Sequence, residues 1–99
     1  MLSIKKTIAD GKAVFALSGR LDTTTSPQLE AELMPSLEGV NELTLDFEEL
    51  EYISSAGLRI LIAAQRVMNR QGTMKVTHVN QTVMEIFELT GFLNVLTIA

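Results

Sequence analysis

The sequence contains no cysteine and no tryptophan, one histidine, one tyrosine and two prolines among its 99 residues. Without cysteine there is no disulfide framework, no thiol nucleophile and no thiolate metal ligand. With one histidine, a metal site would have to rest almost wholly on carboxylates, and no metal is expected. Aromatic residues make up 5% of the chain, so the core must be mostly aliphatic, with methionine as adaptable filler. Positive charge is also scarce: 8 Lys and Arg stand against 12 Asp and Glu, a net charge of −4. That balance argues against nucleic acid or an anionic membrane surface as partner, since both call for basic patches. No stretch approaches the ~18 apolar residues of a membrane span. Met1 to Lys6 lack the long apolar run of a secretory signal, so a cytoplasmic location is expected. No phosphate-cradling G-x-x-x-x-G-K-[ST] or G-x-G-x-x-G pattern occurs, and no cofactor is expected.

What is present is a 46% hydrophobic chain, enough for one core and a single domain over 1–99. Residues 2–9 roughly alternate and read as a strand. Asp10-Gly11 is a hairpin turn signal, and 13–18 read as the second strand. Gly19-Arg20-Leu21-Asp22 should then leave the sheet, with Thr23-Thr24-Thr25-Ser26 as a polar loop. Ser26-Pro27 reads as an N-cap followed by proline at the first helical position. The first helix is predicted over 27–37, from Leu29, Leu33 and Leu37, and Pro35 should kink it or end it early. Strand three is predicted at 43–47, followed by an acidic connection, Glu48-Glu49-Leu50-Glu51. The second helix is predicted over about 56–71, with Gly72 as its cap. Met74 to Val79 read as strand four. Asn80 should cap a third helix, 81–90, which Gly91 ends. Val95 to Ile98 read as a last short strand. The order β-β-α-β-α-β-α-β predicts an α/β fold: a mixed sheet with an N-terminal hairpin, parallel crossovers and helices packed on it.

The chain is organised around the start of the second helix, Glu51-Tyr52-Ile53-Ser54-Ser55-Ala56-Gly57. Free backbone N–H groups and a positive dipole end make such a start welcoming to an anion, including a phosphate on a serine. Ser55 is therefore read as a switch site, with Ser54 as an alternative acceptor. One of the two should also be the N-cap. On a wheel of ~100° per residue, Gly57, Ile60, Leu61, Ala64, Val67 and Met68 form the core face. Arg59, Gln65, Arg66, Asn69 and Arg70 form a polar stripe, with Ile62 in its middle and Leu58 at its edge. Ile62 is either one exposed aliphatic residue or an interface anchor rimmed by arginines. In the second case Ile62→Glu should abolish partner binding and leave the thermal midpoint nearly unchanged. Catalysis has weak support. Ile53 stands where a nucleophile elbow needs glycine, and a Ser55–His78–Asp22 triad is the only serine-hydrolase constellation available. Asp22 could instead cap the turn of Thr23–Thr25. Glu48, Glu49 and Glu51 read as a solvated loop.

At Tyr52-Ile53-Ser54-Ser55-Ala56-Gly57-Leu58-Arg59 the chain resembles the STAS domain family, whose stand-alone bacterial members are anti-sigma factor antagonists. Gly19-Arg20-Leu21-Asp22, Leu45-Asp46-Phe47 and Leu89-Thr90-Gly91-Phe92 resemble further family elements, so the resemblance covers nearly the whole chain. It implies a binding module and not an enzyme. The implied partner is an anti-sigma factor that is also a serine kinase, and binding it frees a sigma factor. Phosphorylation of the serine matched by Ser55 would release the partner, and a serine phosphatase would reset the switch. Asp22 matches an aspartate near the phosphorylation site, which implies a role in positioning the serine. The partner-binding surface is expected to comprise Asp22, Ser54, Ala56, Gly57, Leu58, Arg59, Ile62 and Arg66. Many members have aspartate where this chain has Ser54. Many also continue into a final helix. Stopping at Ala99 is expected to expose apolar surface near the last strand or to favour self-association, so a monomer or weak dimer is expected. The family also implies an alternative: an unphosphorylated adaptor or scaffold subunit of a lipid-transport or stressosome-type complex.

Overall fold

The computed structural model describes residues 1–99. Strands β1 (Leu2–Ala9) and β2 (Lys12–Leu21) are joined by Asp10-Gly11, with φ of 52° and 78°. Two successive positive φ values are the mark of a type I′ turn, whose twist matches that of the strands it joins. The turn sets the antiparallel register from Ala9↔Lys12 to Leu2↔Gly19. Helix α1 (Ser26–Ser36), strand β3 (Glu42–Ile53), helix α2 (Ser55–Gln71), strand β4 (Thr73–Thr77) and helix α3 (Gln81–Thr90) follow. The sheet order is β1-β2-β3-β4, with β2/β3 and β3/β4 parallel. Both parallel crossovers step the same way along the sheet, so the right-handed rule puts α1 and α2 on one face. There they pack against each other, and α2 also packs on β3 and β4. This is the mixed α/β sheet with an N-terminal hairpin that the element order predicts. One core of 24 buried hydrophobic residues holds it together, with Phe15, Phe47 and Phe87 fully enclosed. Each Leu or Phe so buried contributes about 1.5–3 kcal/mol.

Several elements depart from the sequence reading. Gly19, Arg20 and Leu21 do not leave the sheet; they pair with Leu50, Tyr52 and Ile53. The acidic stretch 48–51 is likewise strand, because β3 runs for 12 residues to Ile53. Register shifts between Ala16/Ser18 and Gly19/Arg20 add residues on the β3 side. These bulges turn Phe47, Leu50 and Ile53 inward at intervals of three, leaving Glu48, Glu49 and Glu51 exposed. A reading tuned to a period of two misses such a strand. Thr25, not Ser26, is the N-cap of α1; Ser26 is buried, and its Oγ donates to the Asp22 carbonyl at 2.5 Å. Helix α1 runs through Pro35 and ends one residue later. Strand β4 stops at Thr77, since His78 adopts φ 56° and turns the chain out of the sheet. The last strand shrinks to a single bridge, Val76↔Ile98, preceded by a 3-10 turn at Phe92–Asn94.

The wheel of α2 also needs correction. Leu58 and Gln65 belong to its buried arc, at 2% and 7% exposure. Gln65 tolerates burial because its Nε2 donates to Asn69 Oδ1 at 2.8 Å, although its Oε1 has no partner. Ile62 is half-buried and packs against the core. Replacing it with glutamate would therefore cost stability, contrary to the unchanged thermal midpoint expected of an exposed anchor.

Candidate functional site

The site grows from the C-terminal ends of the paired strands β2 and β3. Leu21 and Ile53 are register partners, both fully buried, and the Ser54 N–H donates to the Leu21 carbonyl at 2.8 Å. Where the strands end, Asp22 starts one turn and Ser54 starts α2. Ser54 is the N-cap, in extended conformation, and its Oγ accepts the Gly57 N–H at 3.4 Å. Ser55 is the first helical residue, and its exposed hydroxyl makes no hydrogen bond within the chain. The N–H groups of Ser55 and Ala56 precede the first intrahelical bond, Leu58 N–H to the Ser54 carbonyl. They remain free for an anion.

Gly57 is buried, and it explains how closely α2 approaches the sheet. A Cβ there would lie 2.7 Å from Leu21 Cγ and 2.9 Å from Ile53 Cγ1. Its contribution is to packing beneath the site, and Leu58 likewise faces the core. Arg59 and Arg66 are exposed, about one and about three turns beyond Ser55. The structure thus gathers Asp22, Ser54, Ser55, Ala56 and Arg59 at one end of α2. Ile62 and Arg66 lie about 10 and 16 Å further along its axis at 1.5 Å per residue.

Asp22 is committed to its own turn. Its Oδ1 accepts the N–H groups of Thr24 and Thr25 at 3.0 and 3.1 Å and the Thr25 hydroxyl at 3.2 Å. The Thr25 N–H is the main reason its pKa is lowered, with smaller help from the Thr25 hydroxyl, the Thr24 N–H and Arg20, against some desolvation. Arg20 lies 3.8 Å from Asp22 Oδ2 and stacks 4.6 Å from the centre of the Tyr52 ring. Asp22 therefore caps the Thr23–Thr25 turn, and its side chain makes no hydrogen bond to Ser55.

Two features escape the sequence reading. Thr23, Ser26, Pro27 and Glu30 from the α1 side, with Ala56, Arg59 and Ile60 of α2, line a cleft of about 230 Å³ between the two helix starts. No motif signals this cleft, because it arises from helices that are adjacent only in the fold. The Arg20–Tyr52 stack is also non-local, a consequence of the bulged register.

His78 lies elsewhere. Its Nδ1 is 2.9 Å from Asp46 Oδ1, which also accepts the Glu48 N–H at 3.0 Å. Asp46 alternates with buried Leu45 and Phe47, so it lies on the sheet face away from the core. The hydrogen bond and charge of Asp46 raise the pKa of His78. The Glu48 N–H, then His78, lower that of Asp46. Donor atoms of Asp46, Glu48 and His78 fall within 4.8 Å of one another, the geometry of a three-donor metal set. The ion pair and the hydrogen bond from the Glu48 N–H to Asp46 account for that grouping. A Ser55–His78–Asp22 triad is not assembled: His78 and Asp22 are each engaged with other partners.

The architecture is thus a small α/β domain that presents an accessible serine at a helix start, above a closely packed glycine. The family model described as "Mlab, STAS domain" matches residues 4–97. BtrV of Bordetella bronchiseptica, assigned by name to the anti-sigma factor antagonists, is 37% identical over 92 residues, covering 91% of this chain and 79% of its own. The crystal structure of an anti-sigma factor antagonist from Mycobacterium paratuberculosis aligns with TM-score 0.89 at 23% identity, over 99% of this chain and 85% of that one. The phosphorylated form of the Bacillus cell fate determinant SpoIIAA aligns with TM-score 0.75 at 19% identity, over 98% and 91%. The chain belongs to the STAS domain family.

Proposed function

We propose that this STAS domain is an anti-sigma factor antagonist. It binds an anti-sigma factor with serine-kinase activity through the exposed side of α2, and phosphorylation of Ser55 releases that partner. A serine phosphatase acting on the phosphorylated form restores binding. The observation that carries the reading is the Ser55 hydroxyl, exposed and unbonded at the first position of a 17-residue helix. Ser54 is the poorer acceptor, because its hydroxyl is taken up as the cap. The name of BtrV and the existence of SpoIIAA in a phosphorylated form support a switch of this kind.

The energetics favour release over unfolding. A phosphate at Ser55 adds about −1.5 to −2 charges. At a helix start it stabilises the fold by roughly 0.3–1 kcal/mol. A partner packed on the same spot would have to bury that charge. A hundredfold loss of affinity needs only ~2.7 kcal/mol, and an uncompensated buried charge can cost more.

The test is intact mass and peptide mapping after incubation with ATP and each histidine-kinase-type anti-sigma factor from the same genome. One phosphate on Ser55, absent in Ser55→Ala, is the expected result. A phosphate on Ser54 would move the acceptor and keep the function. No phosphate with any such kinase would favour an unphosphorylated STAS adaptor.

A further inference from the structure

Helix α2 carries charge of one sign. Its 17 residues include Arg59, Arg66 and Arg70 and no aspartate or glutamate. All three arginines are exposed, and none takes part in the chain's ion pairs, Lys12–Glu42, Arg20–Asp22 and His78–Asp46. Glu30 of α1 shares the cleft with Arg59, yet the two form no ion pair. Three of the chain's 8 basic residues therefore sit unpaired on one helix, while its 12 acidic residues all lie elsewhere. The spacing of Arg59, Ile62, Arg66 and Arg70 at three and four residues makes them one ridge, with half-buried Ile62 as its apolar element.

We infer that the partner surface docked on this ridge is an acidic protein face, which sets carboxylates against Arg59 and Arg66 around an apolar contact at Ile62. The inference rests on the switch reading above and names the chemistry of its partner. A uniformly charged polyanion fits less well, because the acidic remainder of the domain repels it at long range. A local patch of carboxylates meets only the ridge, and arginine is favoured in such contacts for its planar, multidentate guanidinium. The direction of the switch follows. A phosphate on Ser55, one turn before Arg59, engages that arginine and places a dianion where the partner's carboxylates must come.

The experiment measures binding of the anti-sigma kinase to the wild type, Arg66→Lys, Arg66→Gln and Arg66→Glu, at low and high salt, with circular dichroism confirming that each variant is folded. The expected order is wild type, then Lys slightly weaker because it keeps the charge but loses the planar fork, then Gln a few-fold weaker than the wild type, then Glu at least tenfold weaker, with salt weakening the wild type more than Arg66→Gln. Wild-type binding that is indifferent to salt and to Arg66→Glu would overturn the acidic partner and leave the switch standing. Absence of wild-type binding to every such kinase would remove both. Competition by a short DNA duplex, itself abolished by Arg66→Glu, would overturn the inference in favour of nucleic acid.

Discussion

Gly57→Ala separates two roles for the glycine of the Ser-Ala-Gly-Leu segment: contact with a partner, or the close approach of α2 to the sheet. The added methyl would stand 2.7 Å from Leu21 Cγ and 2.9 Å from both Leu21 Cδ2 and Ile53 Cγ1. Leu21 and Ile53 are completely buried, so neither can swing aside into solvent. Overpacking of this kind costs about 1–3 kcal/mol, and two enclosed neighbours put the expected value at the upper end. Alanine's better helix propensity returns about 0.8–1.0 kcal/mol. The net expectation is a loss of about 2 kcal/mol, which lowers Tm by about 8–16 °C for a domain of this size. Thermal unfolding followed by far-UV circular dichroism reads it directly. A rise of about 4–8 °C, the propensity gain alone, would refute the packing argument. A double-mutant cycle adds a second check. Leu21→Ala alone should cost about 2–5 kcal/mol. The double variant should lose less than the sum, because the new methyl enters space that Leu21 vacated. Strict additivity would show that the two positions do not touch as described.

Ser54→Ala should cost about 0.5–1 kcal/mol, the lower part of the capping range, since the bond to Gly57 N–H is long at 3.4 Å. Ser55→Ala should stay within about ±0.5 kcal/mol; urea midpoints of the two variants compare them, and equal losses would mean that Ser54 is not the cap. Asn80 does two jobs, its Oδ1 accepting the Val83 N–H at 2.8 Å and its Nδ2 donating to the Leu50 carbonyl at 2.7 Å. Asn80→Ala should therefore lose about 1.5–3 kcal/mol. Asn80→Asp, which keeps only the cap, should still lose stability in the same denaturation assay, whereas full recovery would discount the Leu50 bond. The folded-state pKa of His78 is raised above 6.5, so its stabilising pair with Asp46 is complete below that pH and fades as pH rises through the raised value. The lowered pKa of Asp46 places the acid limb below 3.8. Between mildly acidic and mildly alkaline pH the wild type should lose more stability than His78→Asn, a residue that tolerates the left-handed backbone there; parallel pH profiles would show that the pair contributes nothing.

What the sequence by itself determined is what short-range chemistry controls. Asp10-Gly11 dictates a type I′ hairpin because both residues accept positive φ. The serines before Ala56 start α2 because a side-chain oxygen must meet a free helical N–H, and Asn80 starts α3 for the same reason. Those signals place Ser54 and Ser55 at a helix start, and with the element order they yield the fold class; the structure decides that Ser54 is the cap and Ser55 the exposed residue. Tertiary structure alone decided what depends on register and coverage. The bulges against β2 make strand out of Glu48–Glu51 by spacing the buried residues in threes, which no local periodicity announces. Burial of Leu58 and Gln65, and with it the narrowing of the polar stripe, depends on the elements packed around α2. Gly57 falls on the core face by its spacing, whereas the resemblance implies a contact residue; how closely α2 approaches the sheet there is decided by the side chains of Leu21 and Ile53 beneath it. Turn and cap preferences act over a few bonds and survive in any context, whereas register, coverage and close approach are set by partners far away in the chain.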